Sequence, residues 1–164
     1  MSAATSQPSI RVAKPGDASL VFSFIRELAE YEKMSADVVT SEGEIASALF
    51  GENPRVFCDI AEWNGEAAGF ALWFYNFSTF RGRHGIYLED LFVRPEFRGH
   101  GLGKALLVNL AKRAVREGCA RVEWAVLDWN MPSIAFYESL GARHTKGWYP
   151  YRLTGDALQT LGAP

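Results

Sequence analysis

The chain is short of cysteine, of long apolar runs and of surplus charge, and each shortage closes off a kind of protein. Only Cys58 and Cys119 occur in 164 residues. Neither has the neighbours of a metal site or of a nucleophile, so no metal is expected. The two could pair in principle, but two buried, reduced thiols in a cytoplasmic protein are expected instead. The longest apolar run, Ala67 to Tyr75, falls far below the ~20 residues that cross a bilayer, so no membrane partner is expected. A net charge of −2 without a long block of one sign argues against nucleic acid, whose binders usually carry a basic face. Met1 to Ser6 form neither a basic nor an apolar leader, so no signal peptide is expected and the location is expected to be cytoplasmic.

Apolar residues are plentiful, at 48%, and 13% are aromatic. That composition belongs to a globular chain, and the length suits one domain over residues 1–164 with a sizeable core. Residues 1–8 are expected to be a flexible lead-in. Ile10 to Ala13 predicts a strand, and Asp17 is placed to cap a helix carrying Leu20, Val21, Phe24, Ile25 and Leu28 on one face. Ser41-x-x-Glu44 is a capping box for a second, shorter helix. Val56 to Trp63 and Glu66 to Phe77 predict two strands joined by Asn64-Gly65, a strong hairpin signal. Gly85 to Val93 predicts a fourth strand, followed by a helix that ends at Gly118. Arg121 to Leu127 predicts a fifth strand, Pro132 opens a helix ending at Gly141, and Tyr149 to Leu153 predicts a last strand before a polar tail. One mixed α/β domain follows, with strands 4 and 5 parallel across a helical crossover and the rest mostly antiparallel.

The chain is organised around Arg98-Gly99-His100-Gly101-Leu102-Gly103-Lys104, a glycine-rich loop between a strand and a helix. Alternating glycines let the backbone come close to a ligand. At a helix opening, unpaired N–H groups and the positive dipole end converge, which suits a pyrophosphate. A Walker loop is excluded because Ala105 follows Lys104, and a dinucleotide fingerprint is excluded by the glycine spacing. A glycine turn present for steric reasons alone is the bland alternative.

Arg98-x-x-Gly101-x-Gly103 resembles the pyrophosphate loop of the GNAT acetyltransferases. Asn130-x-x-Ser133-x-x-Phe136-Tyr137 resembles the signature that closes their acetyl-CoA site. Tyr31, the Leu88-Glu89-Asp90 triplet and Gly147-Trp148 extend the likeness towards the diamine (spermidine/spermine) and thialysine N-acetyltransferase branch, over roughly Ile10 to Leu153. The resemblance implies a GNAT fold: a single mixed, mostly antiparallel sheet with splayed parallel strands 4 and 5, flanked by about four helices. It implies that acetyl-CoA is the co-substrate. The main chain of Leu91, Phe92 and Val93 would pair with pantetheine, and Arg98, Gly99, His100, Gly101, Leu102, Gly103 and Lys104 would surround the pyrophosphate. Asn130, Pro132 and Ser133 would lie near the arm on its other side. Tyr31, Glu32, Glu89, Asp90 and Trp124 would form the acceptor site, and a homodimer is the family's usual assembly. The exposed aromatic edge that Trp148-Tyr149-Pro150-Tyr151 would leave in a monomer points the same way.

The chemistry can be argued without the family. An alkyl ammonium with a pKa near ~10.4 is neutral about once in 2,500 molecules at pH 7, a penalty of roughly 4.6 kcal/mol. A site that acetylates it needs a carboxylate to draw off the proton, directly or through water. Glu89 and Asp90 are neighbours on a strand and are expected to face opposite sides of the sheet. Family position favours Glu89 as the base, with Asp90 attracting the cation; ordinary solvated carboxylates are the alternative. Tyr137, expected near the start of its helix, matches the family's general acid for the leaving thiolate, against a core tyrosine. Arg81, Arg83 and Lys146 are expected near the mouth, where they would disfavour a long tetra-amine and suit an amino acid's carboxylate. The expected activity is acetyl-CoA-dependent N-acetylation of a small primary amine, a diamine or a lysine- or thialysine-like amino acid, by direct transfer through a ternary complex. Acetylation of a protein lysine or N-terminus, or a silent acyl-CoA sensor, is the alternative.

Overall fold

A computed structural model describes residues 7–164, so most of the lead-in expected to be flexible, residues 1–6, lies outside the described residues. Pro8 is already part of the first strand, paired with Trp63. The chain forms two compact units, one ending at Ala125 and one of residues 126–164.

The first unit holds a five-stranded sheet in sequence order. Its strands are β1 (Pro8–Val12), β2 (Phe57–Trp63), β3 (Glu66–Ser78), β4 (Arg83–Val93) and β5 (Val122–Trp124). All neighbours are antiparallel except β4 and β5, which are parallel. The β2–β3 turn works as its sequence predicts: Asn64 and Gly65 both take positive φ, at 52° and 81°. Those angles give the twist that a two-residue hairpin needs.

Three helices belong to this unit: α1 (Ala18–Tyr31), α2 (Glu42–Phe50) and α3 (Leu102–Glu117). Ser41 and Glu44 make the expected capping box at α2. Asp17 does stand at the N-cap of α1, but its carboxylate does not cap that helix. It accepts instead from Arg11 at 2.7 and 3.0 Å and from the Lys14 N–H at 2.7 Å. The Arg11 hydrogen bonds hold the Asp17 carboxyl below the usual carboxylate range.

Two apolar layers sandwich the sheet. On one face, Val21, Phe24 and Leu28 of α1 and Leu49 of α2 pack on Cys58, Ile60, Phe70, Leu72 and Phe92. The Phe24 and Phe70 rings stack at 5.3 Å. On the other face α3 lies across β1 to β4 and buries Leu102, Leu106, Leu107, Leu110 and Ala114. The Arg113 guanidinium sits 5.0 Å over the Trp73 ring, whose Nε1–H donates to buried Asp59 at 2.9 Å.

The second unit carries α4 (Met131–Ser139) and α5 (Gly155–Leu161). Here the expected C-terminal layout is corrected. The strand expected over 149–153 is not formed, and the polar tail expected after it makes α5, a fifth helix. A strand needs a neighbouring edge to satisfy its backbone, whatever its side-chain alternation. In the first unit, β5 stops at Trp124 rather than Leu127, and Cys119 lies half-buried just before it. Both cysteines are free thiols.

Candidate active site

The site begins with an irregularity in β4. Trp73 of β3 opposes Leu88, but the next pair back, Leu72, opposes Asp90, so Glu89 is an extra residue in β4. Such a bulge breaks the two-residue alternation and re-aims side chains. Leu88 and Asp90 therefore point to opposite faces although they are two apart. The simple alternation on which the expectation for Glu89 and Asp90 rested does not hold at this point. Asp90 joins Leu72 and Phe92 on the α1 face, half-buried, while Glu89 is exposed. Burial, and then the charges of Glu89 and Glu32, push the Asp90 carboxyl up to about 7. Glu32, at the end of α1, is itself raised by burial. The structure thus brings together three of the carboxylates expected at the acceptor site.

Just past the bulge the sheet opens. On its β3 side β4 is paired as far as Val93, but on its β5 side pairing covers only Ile86, Tyr87 and Leu88, opposite Val122, Glu123 and Trp124. Among the described strands, none pairs with the main chain of Leu91, Phe92 and Val93 along that edge. The splaying expected of strands 4 and 5 is present. An extended chain with amide groups could add to such an edge as an extra strand does. Trp124 ends β5 half-buried, at the point of separation.

A single helical turn, Pro95–Phe97, then carries the chain into the glycine loop. Gly99 and Gly101 adopt φ of 84° and 78°, which other residues take only under strain. A Cβ on either would meet nothing within 4 Å, so the space beside them is open. Gly101 is the N-cap of α3 and offers no side chain to the first amides of Leu102, Gly103 and Lys104. Those donors and the helix dipole could cradle an anion. Leu102 could contribute only its amide, because its side chain is buried in the core. His100 stacks on Trp63 of β2, with ring centroids 4.4 Å apart.

Arg98 links the loop to Tyr31, one of the residues expected at the acceptor site. Its Nε donates to the Val93 carbonyl at 2.9 Å. Its guanidinium lies 5.1 Å over the Tyr31 ring and 5.7 Å over Phe92. Arg94 fastens the same region to α1 by a two-pronged bond to Glu27, at 2.9 Å each, and lies 4.7 Å over Phe24. Sequence reasoning missed Arg94, Trp63 and the bulge. No motif marks the first two, and a bulge depends on the register of the facing strand.

Arg81 and Arg83 are corrected. They stand at the β3–β4 turn, and Arg83 opens β4, six residues before Glu89. At ~3.3 Å per residue that is about 20 Å from the acidic cluster. An open concavity of about 560 Å³ runs along the outer side of α1, lined by Phe22, Arg26, Glu30, Ser35 and Thr40. It holds none of the three clustered carboxylates.

In the second unit Asn130 caps α4, its side-chain oxygen accepting from the Ser133 N–H at 3.4 Å. Asn130 is buried, Ser133 half-buried and Pro132 exposed as the second helical residue. Tyr137, expected near the start of its helix, is the seventh of its nine residues. It is half-buried beside Phe136, ring centroids 5.4 Å apart. Among the described residues no group of three or more His, Cys, Asp or Glu could hold a metal ion, and no helix is long and apolar enough to cross a membrane.

The chain thus carries a sheet whose parallel strands part ahead of a glycine-rich loop at a helix N-terminus, with carboxylates at a bulge on the parted strand. The chain belongs to the Acetyltransferase (GNAT) family, whose model matches residues 22–142. It is 42% identical to the thialysine N-epsilon-acetyltransferase of Sus scrofa, over 93% of this chain and 95% of that one. It is 34% identical to the L-ornithine N5-acetyltransferase of Arabidopsis thaliana, over 93% and 86%. Among solved structures, an integron cassette protein from the mobile metagenome of V. cholerae superposes with a TM-score of 0.80 at 29% identity, covering 96% and 99% of the two chains.

Proposed function

We propose that the protein transfers an acetyl group from acetyl-CoA to the primary amine of a small cation, a diamine or a lysine- or thialysine-like amino acid, directly within a ternary complex. The observation that carries this reading is the carboxylate cluster of Glu32, Glu89 and Asp90 at the bulge, beside an unpaired strand edge and an anion cradle. The relatives named for thialysine and ornithine support an amino-acid acceptor with a terminal amine.

Acetyl-CoA supplies an activated thioester when bound. The chain's own groups fit it: the amides of Gly99 to Lys104, with Arg98, would hold the pyrophosphate, and the main chain of Leu91, Phe92 and Val93 would hold the pantetheine arm. One N–H of that stretch would polarise the thioester carbonyl. Asn130, Pro132 and Ser133 would flank the arm. Glu32 and Glu89 draw in the ammonium, with Tyr31 and Trp124 lining the acceptor site. Asp90 takes the proton, because a carboxyl raised to about 7 has more driving force as a base than one at its ordinary value. This moves the base from Glu89, favoured by family position, to its neighbour. Tyr137 donates a proton to the departing sulfur. A thiol pKa near ~8.5 makes thiolate a tolerable leaving group, so this step contributes less.

Residues 1–164 are read as one acetyltransferase domain, since the family match runs through both compact units. A homodimer accords with the exposed Trp148, Tyr149 and Tyr151. A cytoplasmic location accords with two unpaired thiols. The test is thiol release from acetyl-CoA with lysine analogues, ornithine, simple diamines, spermidine and spermine. Turnover with basic amino acids above that with spermine supports the reading; acetyl-CoA binding without turnover on any amine contradicts it.

A further inference from the structure

The anion cradle has a side-chain support that the transfer chemistry does not use. His100 stands between Gly99 and Gly101, the two positive-φ positions of the loop, where the backbone is least restrained by its own sterics. Before it, the loop is anchored by Arg98 Nε on the Val93 carbonyl, and after it by buried Leu102. Between those anchors, His100 lies nearly parallel on Trp63, with 4.4 Å between ring centroids and 18° between planes. Trp63 is a firm platform: its backbone is paired with Pro8 on one side and with Glu66 across the hairpin on the other. Its side chain is half-buried. A ring stacked on a fixed ring loses little further freedom, so the pair is well placed to limit the motion of the peptide units on either side.

We propose that Trp63 and His100 form a stacked strut that holds the amides of Gly99 to Lys104 converged for the pyrophosphate of acetyl-CoA. Both are positioning residues, and neither takes part in acyl transfer. The inference rests on the acetyl-CoA reading of the loop for its ligand, but the stack and its effect on loop mobility stand on the geometry alone.

The test compares wild type with His100→Ala, His100→Phe, Trp63→Leu and the Trp63→Leu/His100→Ala double variant, each first checked for an unchanged melting temperature. Amide hydrogen exchange over Gly99 to Lys104 is measured in the free protein, and KM for acetyl-CoA, KM for the amine and kcat in turnover. An aromatic pair of ordinary strength predicts a rise of about three- to tenfold in KM for acetyl-CoA for His100→Ala, falling on that KM rather than on kcat. Exchange over the loop quickens by a similar factor, and His100→Phe, which keeps a ring, restores both. Trp63→Leu reproduces the His100→Ala effect, and the double variant adds little to either, because each single change already removes the stack. Unchanged exchange and KM in His100→Ala, or fully additive single effects, would overturn the strut. Faster loop exchange with no acetyl-CoA affinity in any form, wild type included, would uphold the strut and overturn the ligand.

Discussion

The unit ending at Ala125 and the unit of residues 126–164 are built differently. In the first, every neighbouring pair of strands is joined, and helices cover the sheet with side chains such as Val21, Phe24, Leu106 and Leu110 fully buried. In the second, neither helix has a buried residue, and Tyr149 and Tyr151 are 86% and 96% exposed. The anion cradle, the open strand edge and the acidic cluster all sit on the well-packed unit. That is where rigid placement is worth most to a binding site. The second unit carries Tyr137 and an aromatic segment that stays wet. On the proposed reading, binding belongs to the first unit and assembly to the second.

Changes in the first unit should strike hardest. Asp90→Asn should lower turnover about 10²–10⁴-fold at saturating substrates, as loss of a general base does. In wild type, turnover should climb as pH rises through about 7, where Asp90 gives up its proton, and that inflection should vanish in the variant. Phe24→Ala, which empties a fully buried ring site stacked on Phe70, should cost about 3–5 kcal/mol of unfolding free energy in denaturant titration.

In the second unit effects should be smaller. Tyr137→Phe should slow single-turnover transfer about tenfold, less than the base does. An unchanged rate would remove its role as acid. Tyr149→Ser with Tyr151→Ser should leave unfolding within about 0.5 kcal/mol per site, as exposed positions do. The same pair should shift sedimentation towards the monomer.

The pH dependence of stability sharpens the contrast. The unfolded chain loses the Asp90 proton near ~3.9, whereas the folded chain holds it to about 7. Between those values the folded state binds the extra proton, so stability falls as pH rises from about 4 to about 7 and then levels. Asp90→Asn should flatten that slope and melt at a higher temperature than wild type at pH 8. A site poised for proton transfer is held at some expense of stability.

Much of the first unit was legible because its signals are local. Asn64-Gly65, the Ser41–Glu44 box and the glycine loop each announce a backbone conformation within a few residues. What escaped depends on distant partners. Whether Glu89 is a bulge is decided by the register of Leu72 and Trp73, and Trp63 meets His100 only once two strands are in place. Tyr149, Tyr151 and Leu153 alternate as a strand would, yet alternation does not supply an edge to pair with. Arg81 and Arg83 looked close to the acceptor site in sequence, but strand length carries them away from it.

The central claim is that the bulge carboxylates activate an amine for acetylation, with Asp90 taking the proton. Its most direct measure is amine-dependent thiol release by wild type, Asp90→Asn and Glu89→Gln, followed from pH 5.5 to 9 with lysine analogues, diamines and spermidine. The account predicts collapse in Asp90→Asn with loss of the inflection near 7, a milder loss in Glu89→Gln that falls mainly on amine KM, and preference for the amino acid. Collapse in Glu89→Gln alone, with Asp90→Asn near wild type, would contradict it and return the base to the exposed residue of the bulge.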